Sequence, residues 1–382
     1  MVIVLNGIKK EAPGDITVFD DCDSCNAGNV ISIVGNTISM EQIYEYESAE
    51  TGWFNFRLTN VLGKTVTFKI NAPSGEVGDI SSSGTNLCDG RIYKPKQMVY
   101  TCDVGLPPLQ QTWKYFGKGS DGNSGDTISY SSPVYSVTHT YECNEVQIAS
   151  YYAYSYTDAM NYIDSIVTRT ESMPNAEANV KILGNAEPLK RSKGNYTVGQ
   201  ILPVKMLDLT NPNTDDNNKR HIFIIGRQHP AETQATWMTM GLIEMILNNQ
   251  FYLDNFHWYW VPIVEVTGVV DGNSRWICFT GSCDISNSAY WYNSNRQWGR
   301  TCATSQVKAV QTEKNSLNSE YGIDFFIDWH GWAAGRDASN SLGEPINTYS
   351  YEYAKSYGLS DFDAHVMAFG GQDWVKDYYI CS

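Results

Sequence analysis

Two patterns predict an all-β sandwich domain followed by an α/β domain whose sheet is covered on both faces. Residues 1–148 hold short β-type runs broken by Gly, Asn, Ser and Asp, with no convincing helical period. From residue 149 onward strands alternate with helix-like stretches, so the predicted division is 1–148 and 149–382. The chain has 382 residues, 42% hydrophobic and 13% aromatic, which is enough material for two packed cores.

The elements follow in order. "NVISIVG", "WFNFRLTNV", "TVTFKIN", "RIYKPKQMVYT" and "VYSVTHTYE" read as strands. "WFNFRL" and "TVTFKI" alternate apolar and polar residues, which sends one face of each into a core. "GKGSDGNSGDTISYSS" reads as a surface loop. Near residue 150 the period changes. "TDAMNYIDSIVTRT" places Met160, Ile163 and Val167 at helical spacing, with Thr157 or Asp158 as N-cap. Strands follow at "ILPVKMLDLT", "HIFIIG", "FHWYWVPIVEV" and "IDFFIDWHGW". The helix "ETQATWMTMGLIEMILNN" is expected to turn Met238, Leu242, Met245 and Ile246 inward, and "SQVKAVQTEKNSLNSEYG" reads as another helix.

Charge narrows the function classes. With 42 acidic against 27 basic residues the formal charge is −15, which disfavours a nucleic-acid footprint and docking on anionic lipid. No stretch has the roughly 18 apolar residues of a membrane span. "MVIVLNGIKKEAPGD" does not read as a signal peptide, because its apolar core is short and its charges follow that core. An odd count of nine cysteines without such a signal favours reduced thiols and a cytoplasmic location. A loop disulfide between Cys278 and Cys283 would suit the alternative, an exported protein.

His229 and Glu232 lie three residues apart, directly after the apolar strand "HIFIIG". A lone histidine there is usually scaffolding, but ligands bind beyond the carboxyl ends of strands in open α/β sheets. A His and a Glu supply two of the three protein donors that a catalytic zinc takes. His330 after "IDFFID" is the candidate third, with Asp328 two residues before it on the same side of an extended strand. Asp328 is either a partner of a ligand or a solvated strand-end carboxylate. His139, His221, His257 and His365 lack such a context and are not expected to bind metal. Arg275 in "DGNSRW" and Arg296 in "YNSNRQW" sit among Asn, Gly and aromatic residues, and a guanidinium clamps a carboxylate in bidentate fashion.

These segments resemble the M14 metallocarboxypeptidases, in the version carried by the cytosolic carboxypeptidase subfamily. "GRQHPAETQATW" resembles the HPGE zinc motif, "VPIVEVTGVVDGNSR" the segment VP-x-x-NPDGV-x-x-GN-x-R, "NSNRQW" the motif DLNR-x-W, and "DWHGW" the motif D-x-HGH. "YYAYSYTDAMNYIDSI" looks like the entry to the catalytic domain, and "DSCNAGNVISIV" with "GWFNFRLTNV" like the preceding β-sandwich. The resemblance implies a mixed-sheet zinc carboxypeptidase domain and hydrolysis of C-terminal residues from peptides or protein tails. It implies one zinc ion per chain, held by His229, Glu232 and His330. Arg275 would polarise the scissile carbonyl, and Asn295 with Arg296 would hold the substrate carboxylate. "NTYSYE" nominates Glu352 as general base, with Glu344 as a weaker candidate. "LSDFDAHVMAFGGQDWVKDYY" resembles the closing helix region, so the chain is expected to be complete.

The departures define the competing readings. Ala231 stands where the family has Gly, which requires a negative φ there. "EVTG" replaces NPDG, and Asn293 and Ser294 replace Asp-Leu ahead of Asn295. His330 and Glu352 are separated by far less chain than in the family. An alternative function is therefore a catalytically impaired carboxypeptidase-fold protein with a binding or structural role. An amidase acting on cell-wall peptides is a third.

Overall fold

The computed structural model describes residues 14–41, 53–71, 98–116, 126–131, 134–150, 152–273, 293–300 and 303–330. The N-terminal part runs β1 (Thr17–Phe19), β2 (Asn29–Val34), β3 (Thr37–Glu41), β4 (Asn55–Thr59), β5 (Thr65–Asn71), β6 (Val99–Thr101), β7 (Lys114–Tyr115), β8 (Thr127–Ser131), β9 (Val134–Thr140) and β10 (Glu145–Ala149). These form two five-stranded sheets, ordered β1-β4-β10-β6-β7 and β2-β3-β5-β9-β8. All described pairings are antiparallel except β3 with β5.

Alternation along the strands makes this a sandwich. On β5, Val66, Phe68 and Ile70 are fully buried, whereas Thr65 and Lys69 face solvent. From the other sheet Phe56, Leu58, Val146 and Ile148 join the same apolar cluster. Phe56 meets Phe68 edge-on across the layers, with ring centroids 6.1 Å apart. Strand β8 occupies part of "GKGSDGNSGDTISYSS", which the sequence suggests is loop throughout. Its Ile128 and Tyr130 pair with Val137 and Tyr135 of β9, and this cross-strand partner is invisible in a local reading. Cys22 is bonded to Cys25 and Cys102 to Cys143, against the expectation of reduced thiols. Cys278 and Cys283 lie outside the described residues.

The second part runs α1 (Tyr156–Thr170), β11 (Glu177–Asn185), β12 (Pro203–Thr210), β13 (Arg220–Gly226), α2 (Thr233–Leu247), α3 (Gln250–Asn255), β14 (Phe256–Val261), α4 (Val266–Asp271), α5 (Ser305–Glu320) and β15 (Phe325–Trp329). Its mixed sheet has the order β11-β12-β14-β13-β15. β12 is antiparallel to β11 and β14, while β14, β13 and β15 run parallel. After its first residue each of the central strands β13 and β14 is buried at every position, so the sheet is covered on both faces.

Two helix expectations need correction. Helix α1 is capped by Ser155, not by Thr157 or Asp158. Ser155 accepts from the Asp158 N–H while the Asp158 carboxylate accepts from the Ser155 N–H, a reciprocal capping box. On α2, Ile246 points inward as expected, but Met238 and Met245 are 48% and 44% exposed. The buried face instead carries Thr236, Thr239, Met240 and Ile243. The Thr239 hydroxyl donates to the Ala235 carbonyl within the helix, so a threonine can sit on the buried face, and a purely apolar periodicity misphases that face.

The two parts meet along residues 20–28. The Thr157 N–H donates to Asp23 Oδ2 at 2.7 Å, the Ser24 N–H to the Val270 carbonyl at 3.2 Å, and Asn26 Nδ2 to the Gly272 carbonyl at 2.9 Å. Gly272 ends α4 at φ +73°, and a Cβ there would lie 2.3 Å from the Cys25 carbonyl oxygen. Both the left-handed backbone and the close approach need glycine. Glu265, between β14 and α4, is 1% exposed. Ser294 Oγ donates to one of its oxygens and Gln306 Nε2 to the other, the latter at 2.7 Å. Burial outweighs these bonds and pushes its carboxyl up to about 8. The acid thus ties α5 to the turn that carries Ser294.

Two predictions follow from this packing. Gly272→Ala should lower stability by about 2 kcal/mol, through left-handed strain and overpacking. Gly241→Ala on α2, where an added methyl meets nothing within 4 Å, should raise it by about 0.5–1 kcal/mol. Urea midpoints of the two variants against the parent check both signs. Glu265 sets a pH dependence. Its folded pKa of about 8 exceeds the unfolded value near 4.5, so the unfolded chain releases its proton first. Stability from this group is therefore full below pH 4.5, falls as pH rises through 8, and is level above. Glu265→Gln should flatten that decline in melts between pH 5 and 9, and an unchanged profile would refute it.

Candidate metal centre

Strands β13 and β15 are parallel neighbours, with Gly226 opposite Trp329, so the segments leaving their carboxyl ends emerge side by side. His229 leaves β13 after a sharp turn at Arg227, a non-glycine residue at φ +54°. The fully buried Arg227 guanidinium holds that turn from inside. Its Nε donates to the Pro230 carbonyl at 2.7 Å, its Nη2 to the same oxygen, and its Nη1 to the Tyr154 carbonyl at 2.9 Å. Burial pulls its pKa down to about 10, which leaves the guanidinium charged at neutral pH. The Glu232 N–H then donates to the His229 carbonyl at 3.2 Å, closing a turn that brings both side chains to one side. Ala231, 7% exposed, packs with Trp53, Trp113 and Ala153, and its φ is not positive.

The two imidazoles share one carboxylate. His229 Nδ1 lies 2.8 Å from Glu232 Oε1, and His330 Nδ1 lies 2.9 Å from Glu232 Oε2. The ring centroids are 4.9 Å apart, and the three donor atoms lie within 4.8 Å of one another. Each far ring nitrogen has its own partner. His229 Nε2 is 3.0 Å from Asn293 Oδ1, and His330 Nε2 is 3.2 Å from Asp328 Oδ2. An oxygen acceptor on Nε2 fixes the tautomer that turns the Nδ1 lone pair towards a metal. Two nitrogens and a carboxylate oxygen are also the donor set of a catalytic zinc, so the residues present fit the ion.

The electrostatics match. Burial would raise the Glu232 carboxyl, yet the His229 and His330 imidazoles hold it well below the usual range. For His330, burial opposes the charge, but Asp328 and then Glu232 outweigh it and lift the pKa to about 10. Without metal the centre therefore stores a proton on His330, which an incoming cation replaces.

Asn293 has a second task. Its Oδ1 also accepts from the Asn295 N–H at 3.0 Å, capping a 3-10 turn at Ser294–Arg296. The turn that carries Asn295 and Arg296 is thus anchored on His229. Two residues absent from the sequence reading complete the support. Gln228 Nε2 donates to Asp328 Oδ2, and Trp298 Nε1 donates to Gln228 Oε1, each at 2.5 Å. Gln228 precedes His229 and Trp298 closes "NSNRQW", so adjacency to the motifs is the signal that could have found them. Arg275, Glu352 and the weaker candidate Glu344 lie outside the described residues, as does the Arg296 side chain.

Comparison with known proteins agrees with this geometry. Residues 200–376 match the zinc carboxypeptidase family, peptidase M14. The chain is similar to Cytosolic carboxypeptidase 2 of Homo sapiens, 26% identical over 317 residues. That match covers 75% of this chain and 29% of the relative, so the chain spans less than a third of the relative's length. Its fold is similar to a metallo-carboxypeptidase from Burkholderia cenocepacia, with a TM-score of 0.58 and 19% identity over 84% of this chain and 70% of that one. It is similar as well to a metallo-carboxypeptidase from Pseudomonas aeruginosa, with a TM-score of 0.56 and 20% identity over 83% and 70% of the two chains. Through residues 200–376 the chain is thus similar to the zinc carboxypeptidases of the peptidase M14 family.

Proposed function

We propose that this protein is a zinc-dependent carboxypeptidase that removes C-terminal residues from peptides or protein tails, and that residues near 149 divide the sandwich from the catalytic domain. The observation that carries this reading is the convergence of His229 Nδ1 and His330 Nδ1 on the Glu232 carboxylate, with Asn293 and Asp328 behind them. His229, Glu232 and His330 would hold one zinc ion, which supplies a Lewis acid that makes water nucleophilic at neutral pH.

The chain's own groups do the rest. Asn295 and Arg296, on the turn capped by Asn293, clamp the substrate's terminal carboxylate. Clamping that group sets the last peptide bond at a fixed distance from the centre, which makes the cut a C-terminal one. Arg275 donates to the carbonyl oxygen as negative charge grows there, a contact of the kind worth about 3–4 kcal/mol. Glu352 takes the proton of the attacking water and delivers it to the leaving amine.

Two observations bear on location. The name of the relatives supports the cytoplasm, while the bonded pairs Cys22–Cys25 and Cys102–Cys143 support an oxidising compartment. Counting free thiols on protein from its native source separates them.

The function test is release of C-terminal amino acids from a peptide panel by zinc-loaded protein. No release from any peptide by protein with zinc bound would overturn the reading in favour of a binding role. Glu352→Gln should cut turnover by about 10² or more while zinc content stays the same. Glu344→Gln should leave both intact, and the reverse result would move the base to Glu344.

A further inference from the structure

A second carboxylate–imidazole cluster sits at the opposite end of the same sheet. His221 is the second residue of β13 and His257 the second of β14, directly across from it in the parallel register. Their rings are 5.4 Å apart, and both are buried, at 3% and 8% exposure. Asp216 reaches them from the 3-10 turn Asp216–Asn218 in the β12–β13 connection. Along β13 this cluster lies roughly 20 Å or more from His229. The sequence alone gives no expectation of metal at either histidine, since neither has a ligand-like neighbour in the chain.

As at the first centre, two imidazoles and one carboxylate converge. His257 Nδ1 lies 2.9 and 2.8 Å from the two oxygens of Asp216, and its Nε2 lies 2.6 Å from Asp208 Oδ1. His221 Nδ1 lies 3.1 Å from the Tyr259 hydroxyl, and its Nε2 is 3.2 Å from the Asp216 carbonyl oxygen. His257 thus has Nε2 backed by Asp208 and Nδ1 on the Asp216 carboxylate, while His221 has Nδ1 backed by Tyr259 and Nε2 on the Asp216 main chain. Ligand atoms of Asp216, His221 and His257 lie within 4.8 Å of one another. The Asp216 and Asp208 side chains are 32% and 31% exposed, which leaves an approach from solvent. Lys219 Nζ, 3.3 Å from Asp216 Oδ1, is also held by Thr210 Oγ1 and the Asn211 carbonyl, both at 2.6 Å. It therefore engages one carboxylate oxygen without needing to occupy the space between the rings.

We propose that Asp216, His221 and His257 form a second metal site, for a divalent cation of the zinc class, with Asp208 and Tyr259 orienting the two imidazoles. The nitrogen-rich donor set selects against magnesium and calcium, which take oxygen ligands. With three protein ligands the remaining coordination falls to water on the solvent side. The ion clamps the β12–β13 connection onto the sheet, so its role is structural. The competing account is a His257 hydrogen-bonded between Asp208 and Asp216 with no metal.

Metal analysis of the full chain, dialysed against zinc and then against metal-free buffer, distinguishes them. The parent should retain two equivalents, and Asp216→Asn, His221→Gln and His229→Gln one each. His221→Gln combined with His229→Gln should retain none. Asp216→Asn keeps an oxygen facing His257, so its far-UV circular dichroism should match the parent and exclude misfolding as the cause of loss. In His229→Gln, cobalt(II) should give visible absorption from the remaining site, and zinc should still raise the melting temperature. A parent that retains a single equivalent, abolished by His229→Gln, would overturn the proposal. Two equivalents unaffected by Asp216→Asn and His221→Gln would overturn it equally. Loss of the first site alone would instead show as one remaining equivalent that Asp216→Asn removes, so failure of the carboxypeptidase reading and failure of this one are told apart.

Discussion

A carboxylate taken out of water costs several kcal/mol unless charge or hydrogen bonds meet it, and Glu232 sits in that position beyond two parallel strands. His229 meets one of its oxygens and His330 the other, 2.8 and 2.9 Å away. Neither histidine could do so alone, because they lie about a hundred residues apart in the chain. The parallel pairing of β13 with β15 delivers them together, and it needs α2, β14, α4 and α5 in the intervening chain to make the crossovers. The mixed sheet is therefore a device for bringing two strand ends to one carboxylate, and a cation in the same place would replace the stored proton of His330.

The turn that presents His229 and Glu232 depends on groups from both parts of the protein. Arg227 adopts a left-handed backbone, which costs a non-glycine residue of order 1 kcal/mol or more. Its guanidinium offsets that cost by filling its donors with the Pro230 and Tyr154 carbonyls. Tyr154 lies on the segment that enters α1, and Ala231 packs against Trp53 and Trp113 from the sandwich. The β-sandwich thus buttresses the loop that carries two of the three donors. A methyl at position 231 contributes to that contact, so the replacement of glycine there has a packing rationale.

What could be read from the sequence follows from how local each determinant is. Period-2 alternation exposes β4 and β5, and uninterrupted apolar runs expose β13 and β14, because burial on one or two faces writes itself into consecutive residues. Edge strand β11 was missed: it is mostly exposed, and "EANVKILGN" lacks a strong pattern. The short helices α3 and α4 leave no legible pattern in the sequence, since six residues hold too few turns to show a period. At the candidate centre the motif spacings nominated His229, Glu232 and His330, and the structure brings these together. Asp328 was left between two roles, and its contact with His330 Nε2 favours the one that orients a ligand. The pairing of His221 with His257 was illegible for a plain reason. It exists only through strand register, and nothing in either local sequence marks it.

The partners behind the two imidazoles are chemically unequal, and this asymmetry has consequences in the proposed site. His330 is backed by the Asp328 carboxylate, whereas His229 is backed by the neutral amide oxygen of Asn293. A carboxylate behind an imidazole raises its basicity and strengthens its hold on a cation, and an amide does so less. Asn293 stands where the resembling motif has aspartate, so the His229 side of the centre gives up basicity. It gains geometry instead, because an amide oxygen that accepts from both His229 and the Asn295 N–H couples the metal-facing ring to the substrate-facing turn. Glu265 beneath Ser294 holds the same turn from the other side as a neutral acid at neutral pH. Two departures from the family pattern, at 265 and at 293, therefore converge on one short turn. Asn293 puts a neutral amide where the motif has a carboxylate, which lowers the repulsion a substrate's own carboxylate would meet at the proposed clamp. Glu265 stands where the motif has a neutral Asn, and burial keeps it uncharged.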